Sequence, residues 1–357
     1  MATKKNNRIK RLLAAAKAGD ADAQYELGGI YYNGINVRRN YKKSAVFYKQ
    51  SAQQGHAEAQ GMLGYLYHYG KGVEENLREA IKWCRKSALQ GDMMAQCDLA
   101  TSYYFGDGVR RNYKKAIQLF KDAAKQGDVD AQSYLGEMYS DGLGVEKSNR
   151  TAVKWYALAA KQGDPEAQNH LGYALFYGEG IKKNQAEGLK WYRKAARQGN
   201  ELAQSNIGLC YKHGDAVKIN YKTALSWFRK AASNGNINAQ FLIGEAYFEG
   251  QGVRNDPKEA VKWYRKATLK DHAGAQCYLG RCYHDGDGIK QDFKKSVKWY
   301  RLAAQQNDEE AQYFLGMCYR DGEGTRTNKN LAKIWFRKAI DNGESRAKKA
   351  LARLEIT

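Results

Sequence analysis

The dipeptide Ala-Gln begins at Ala23, Ala59, Ala95, Ala131, Ala167, Ala203, Ala239, Ala275 and Ala311, each 36 residues after the last, and Ala347 keeps the register with Lys348 behind it. A period of that length, held nine times without an insertion, excludes one globular core. Each repeat is a small supersecondary element that buries its apolar face by stacking on its neighbours. The period also explains the composition: most of the 36 glycines recur at fixed repeat positions, and only two prolines occur in 357 residues.

Two helices fit into each repeat. The first opens at Asp20, His56, Asp92, Asp128, Asp164, Asn200, Asn236, His272 or Asp308. Seven of these nine are Asp or Asn, whose short side-chain oxygen accepts from the free N–H groups of a first turn. Its inward stripe in the first repeat is Ala23, Gln24, Leu27, Gly28 and Tyr31, at the spacing of one helix face. A left-handed glycine is expected to end it, at Gly34 and its equivalents through Gly322. The second helix opens at Asn40, Asn76, Asn112, Ser148, Asn184, Asn220, Asp256, Asp292 or Asn328, then carries a small residue and an aromatic pair, as in Gly188, Trp191 and Tyr192. Pro165 and Pro257 each follow a cap, where a missing N–H costs nothing. All seven tryptophans share one repeat position, from Trp83 to Trp335, which reads as core rather than as an exposed recognition row.

The pattern A-x-A-Q-x-x-L-G-x-x-Y-x-x-G-x-G-V, followed by x-A-x-x-W-Y-x-K-A-A-x-Q-G, resembles the Sel1-like repeat family, relatives of the tetratricopeptide repeat. The resemblance covers nearly the whole chain. It implies an all-α, right-handed superhelical α/α solenoid of antiparallel helix pairs, used mostly as a scaffold for protein–protein contacts. The expected organisation is a basic N-terminal segment with a capping helix over residues 1–19, nine repeats over 20–343 and a C-terminal capping helix over 344–357. The repeats run 20–55, 56–91, 92–127, 128–163, 164–199, 200–235, 236–271, 272–307 and 308–343. Residues 1–8 read as loose, and Ile9 to Lys17 as a lone second helix.

Fifty-nine Lys and Arg against 38 Asp and Glu give a net charge of +21. That excess points to an acidic partner, whether nucleic acid, anionic membrane or an acidic protein face, or else to a solvated outer surface. One outward flank of the second helices carries Lys49, Arg85, Lys121, Arg193, Arg229, Arg265, Arg301 and Arg337, with only Ala157 interrupting it. As a ladder it would suit nucleic acid or another polyanion, the alternative function. A solvated face is the simpler reading, because no exposed aromatics interleave with it.

The first helices present residues that stacking does not dictate: Tyr65, His68, Tyr104, Tyr134, His170, Tyr173, Phe176, Tyr177, His213, Phe248, Tyr278, Arg281, His284 and Phe314. In the related fold these helices line the concave side. The expectation is therefore an aromatic groove for a protein or peptide partner with an acidic component, set against plain packing of the same rings between neighbouring repeats.

No catalytic, cofactor-binding or metal-ligating residues emerge. Gly142-Leu143-Gly144 has no strand before it and recurs as an interhelical turn, unlike a phosphate loop. Cys277, Cys282, His284 and Asp285 crowd one repeat at a spacing that fits no zinc site. The chain reads as non-enzymatic. Its six cysteines read as reduced thiols of a cytoplasmic protein. The apolar run from Leu12 to Ala16 is too short for a secretory signal, and no stretch suits membrane insertion.

Overall fold

Short polar side chains begin each repeat helix, and the backbone follows from them. In the computed structural model, which describes residues 2–356, Asp20 accepts the N–H of Ala23 and Asn40 that of Lys43, both at 2.9 Å. His56 and His272 cap through Nδ1, at 3.3 and 3.1 Å from the N of Ala59 and Ala275. An unprotonated ring nitrogen thus replaces the usual carboxylate or amide oxygen. Pro165 and Pro257 sit in first turns. First helices close on glycine at positive φ, 74° at Gly34 and 79° at Gly322, where a Cβ would be strained.

The helices divide into two compact units. The first, ending at Lys183, holds α1 (Ala2–Lys17), α2 (Ala21–Asn33), α3 (Tyr41–Gln53), α4 (Ala57–Tyr69), α5 (Leu77–Leu89), α6 (Met93–Phe105), α7 (Tyr113–Lys125), α8 (Val129–Asp141), α9 (Asn149–Gln162) and α10 (Pro165–Tyr177). The second, from Asn184, holds α11 (Gln185–Arg197), α12 (Glu201–His213), α13 (Tyr221–Ser233), α14 (Ile237–Glu249), α15 (Pro257–Thr268), α16 (Ala273–Asp285), α17 (Phe293–Gln305), α18 (Glu309–Asp321), α19 (Lys329–Asp341) and α20 (Arg346–Ile356). Within each unit every helix packs on the next. Among the described residues there is no strand, and no helix is long and apolar enough to cross a membrane.

The amino terminus corrects one expectation. The helix α1 begins at Ala2, not at Ile9, while Met1 lies outside the described residues. No glycine or proline interrupts residues 2–17, so the helical hydrogen-bond ladder extends through the basic stretch. Arg8 pairs with Glu26 on α2, and Ala16 is buried against Ala23, Leu27 and Ile30.

The core of a repeat is a ring lying on a glycine. Gly28 faces Tyr48, Gly136 faces Tyr156, Gly208 faces Phe228, Gly244 faces Tyr264, Gly280 faces Tyr300 and Gly316 faces Phe336. A Cβ on Gly28 would stand 2.6 Å from the Tyr48 ring, too close for any real pair. Those six rings are at most 5% exposed, each worth about 1.5–3 kcal/mol by burial. The tryptophan seam is a correction. Only Trp83 is buried, whereas the other six are half-buried. Tryptophan precedes the core ring by one residue, a rotation of about 100° on a helix. It therefore lies on the flank, where Lys194 Nζ stands 3.7 Å above Trp191 and Lys266 Nζ 4.0 Å above Trp263.

The invariant Ala-Gln register has a cause. The Gln24 amide donates to the Ala16 carbonyl at 3.0 Å, and Gln60, Gln132, Gln204 and Gln312 repeat that bond eight residues back. Each of these glutamines is nearly enclosed. Its Oε1 accepts from an amide thirty residues on, as Gln24 does from Gln54 at 2.7 Å and Gln276 from Gln306 at 2.9 Å. The amides of Gln24, Gln60, Gln132, Gln204 and Gln312 are thereby bonded through both nitrogen and oxygen.

Candidate functional site

The outer row of cations is tied down. Arg85 donates to the Tyr103 hydroxyl at 3.3 Å, Arg193 to Tyr211 at 3.4 Å, Arg229 to Tyr247 at 2.9 Å, Arg265 to Tyr283 at 3.2 Å and Arg301 to Tyr319 at 3.1 Å. Lys121 lies 5.6 Å from the Tyr139 ring centre. Each pair is eighteen residues apart and joins a second helix to the first helix that follows it. The single break obeys the same arithmetic: Ala157 replaces the cation, and eighteen residues on Leu175 replaces the tyrosine. Cation and hydroxyl are lost together, as expected of a stacking contact.

The first-helix face sorts the expected groove residues into two groups. Tyr104 is buried, donates to Glu137 at 2.9 Å and meets Tyr113, Phe120 and Tyr134 edge-on or tilted. Phe176 is buried as well, at 4%. These two are core, and Tyr104 packs against the helix that follows it through Tyr113 and Phe120. Tyr134 stacks on Phe120 at 4.9 Å, His170 on Tyr156 at 4.6 Å and Phe314 on Tyr300 at 5.2 Å. Those rings cover the core ring of the preceding repeat. Tyr173 and Tyr177 are 42% and 54% exposed, with ring centres 4.6 Å apart.

Three recesses line this face in the first unit. One, of about 250 Å³, has Tyr65, His68, Tyr69 and Phe105 on its walls and Asp98 and Asp107 among its lining. A second, of about 360 Å³, lies between Tyr25, Tyr32, Tyr65, Met62 and Met94, with Glu58, Asp92 and Asp98. The third, of about 610 Å³, joins Tyr134, Tyr156 and His170 to Asp98, Asp130, Glu137, Asp164 and Glu166. Eight carboxylates and no lysine or arginine line the three, in a chain of opposite net charge. These acids escape a reading of summed charge. The signal was Glu58, Asp130 and Glu166 at one repeat position, the second residue of the first helix.

Asp98 occurs in all three linings and makes no ion pair among the described residues. Crowding by neighbouring helices pushes its carboxyl up to about 6, with Asp128, Asp92 and Asp130 reinforcing and His68 opposing. Burial raises Asp130 too, helped by Asp128 and Asp164. At the rim, the Lys71 ammonium donates to Tyr65 at 2.7 Å and Tyr32 at 3.2 Å, and lies 4.7 Å from the Tyr65 ring centre. That is how this face holds a cation.

In the second unit the corresponding places are occupied by the chain's own cations. Arg281 lies 5.0 Å from the Tyr278 ring centre and 5.7 Å from that of Phe248. Arg346 covers Tyr313 and Phe314 and pairs with Glu310 at 3.2 Å. Lys212 pairs with Glu245 at 2.9 Å, and His284 with Asp285 and Glu323, which raise its pKa against the pull of burial. His213 is exposed. Cys277 and Cys282 belong to different core clusters, and all six cysteines are unbridged and buried. Burial pushes the Cys84, Cys210 and Cys318 thiols up to about 12.

The Sel1 repeat pattern matches residues 21–56, 57–92, 94–128, 129–164, 165–200, 202–236, 237–272, 273–308 and 309–344. No curated protein matches the sequence. Among solved structures, c5321, a protective antigen of uropathogenic Escherichia coli with an SLR fold, is 31% identical with a TM-score of 0.70, over 97% of this chain and 82% of its own. A Sel1 repeat protein from Oxalobacter formigenes is 34% identical with a TM-score of 0.64, over 68% of this chain and 96% of its own. A tetratricopeptide-repeat signal-transduction ATPase from Pyrococcus horikoshii, at 15% identity and a TM-score of 0.53, covers 94% of this chain and 54% of its own, and shares the fold alone. With nine matched repeats, the caps and the glutamine register, the chain belongs to the Sel1 repeat family.

Proposed function

We propose that the chain is a non-enzymatic scaffold that binds an extended segment of a protein partner along the first-helix face of its first unit. The observation that carries this reading is the run of recesses there, with Tyr69 and Phe105 in the lining 57% and 47% exposed, and with Tyr173, at the repeat position of Tyr65, 42% exposed. Large rings with polar edges are the usual anchors of such contacts. Of the residues expected from sequence, Tyr65, His68, Tyr134, His170, Tyr173 and Tyr177 form the contact surface in this reading. Three histidines have structural roles, His56 and His272 as caps and His284 as an ion-pair centre. Unbridged, buried cysteines suit a reducing compartment such as the cytoplasm. The polyanion alternative rested on the outer cations, and their bonds to tyrosine explain that row without a ligand.

The test is retention of a partner from native extract at moderate salt after nuclease treatment. The combined Tyr69→Ala, Phe105→Ala and Tyr173→Ala variant is expected to release a protein that the parent holds. Retention of the same protein by the variant, with unchanged helicity, would move the contact off this face.

A further inference from the structure

The aromatic recesses of the first unit have a chemical preference that follows from what lines them. Exposed rings alone would accept many apolar segments. Here they stand beside carboxylates, with no lysine or arginine in the lining to neutralise them. Two comparisons within the molecule show what complements such a surface. At the rim of the first unit, the Lys71 ammonium is held by the hydroxyls and ring faces of Tyr32 and Tyr65. In the second unit, Arg281 and Arg346 cover the aromatic pairs, and Arg346 and Lys212 pair with nearby carboxylates. Rings and acids on this face therefore take a cation wherever the chain can supply one. Around Asp98 and Asp130 no lysine or arginine lines the recesses, and His68 is the basic group set against Asp98.

We propose, resting on the peptide-groove reading above, that the first unit binds an extended peptide segment bearing lysine or arginine, with its cations between the aromatic walls and the carboxylates of Asp98 and Asp130. This reverses the preference suggested by net charge. A molecule at +21 repels cations at long range. Capture of a cationic segment would therefore be local to the recesses rather than general adhesion. Guanidinium and ammonium groups suit both surroundings, stacking on a ring face while donating to a carboxylate.

A library of random twelve-residue peptides displayed on phage is selected on the full chain at physiological salt, and the enriched peptides are synthesised with a fluorophore for anisotropy. Enrichment of lysine or arginine is expected, with affinity falling at least tenfold in Asp98→Asn/Asp130→Asn. Asp122→Asn, on a second helix, is the charge control and should leave affinity within twofold. Circular dichroism establishes that the variants keep their helices. Neutral or acidic peptides that depend on Tyr69, Phe105 and Tyr173 would overturn the cationic preference and leave the groove standing. Peptides indifferent to both the rings and the carboxylates would overturn the groove itself. Complete displacement by spermine at the peptide's own concentration would overturn the peptide as occupant in favour of a free amine.

Discussion

Tyr264 has a wholly buried ring, and its hydroxyl finds no hydrogen-bond partner among the described residues. Phe120, Phe228 and Phe336 fill the same repeat position without one. An unpaired buried hydroxyl costs about 1–3 kcal/mol. Tyr264→Phe is therefore expected to raise stability by about 1 kcal/mol, seen as a higher denaturant midpoint at unchanged slope. A lower midpoint would mean that the hydroxyl is satisfied. The sequence displays the aromatic pair plainly, but which member forms the core is hard to read from it. Both rings are apolar, and adjacent residues differ only in direction around the helix. The deciding mark lies elsewhere: the core ring falls twenty residues after the glycine it covers, as Tyr48 follows Gly28.

Between helices, the same distinction separates solvated charge from joinery. Caps, turns and register were readable because each depends on one local residue type recurring at one position. The stitching of second helices to the next first helices was not, because arginine and tyrosine eighteen residues apart resemble surface residues until their neighbours are placed. Hydrogen bonds of this kind contribute about 0.5–1.5 kcal/mol each. A double-mutant cycle of Arg265→Ala and Tyr283→Phe is expected to give a coupling of about 0.5–1 kcal/mol, measured by urea unfolding. Strict additivity would return the arginine row to the solvent and revive its availability to a polyanion. The groove residues divide for a related reason. Tyr104 and Phe176 are buried in the stack, Tyr65 is half-buried against it, and Tyr173 stays 42% exposed. Aromatic character alone does not distinguish them.

Over the whole molecule, charge has a location that composition conceals. The chain carries +21, yet the recesses of its first unit are acidic, so the excess of lysine and arginine lies elsewhere. Concentrating carboxylates in a crowded concavity has an energetic sign. Asp98 is pushed up to about 6 from 3.8, so its protonated form is favoured by folding and its ionised form is disfavoured. The destabilisation is complete above about pH 6 and absent below about pH 4. Each unit of displacement corresponds to about 1.4 kcal/mol, but Asp98 retains solvent access and screening reduces the effect. Asp98→Asn is thus expected to be more stable than the parent by about 1 kcal/mol at pH 8, with the two converging near pH 4. A difference that stays constant across that range would assign the effect to packing of the amide rather than to charge. A saturating lysine- or arginine-bearing peptide should reverse the order at pH 8, since it binds the folded parent more tightly and stabilises it by mass action. A carboxylate that weakens the empty fold and strengthens the occupied one is what a cation-selecting recess requires.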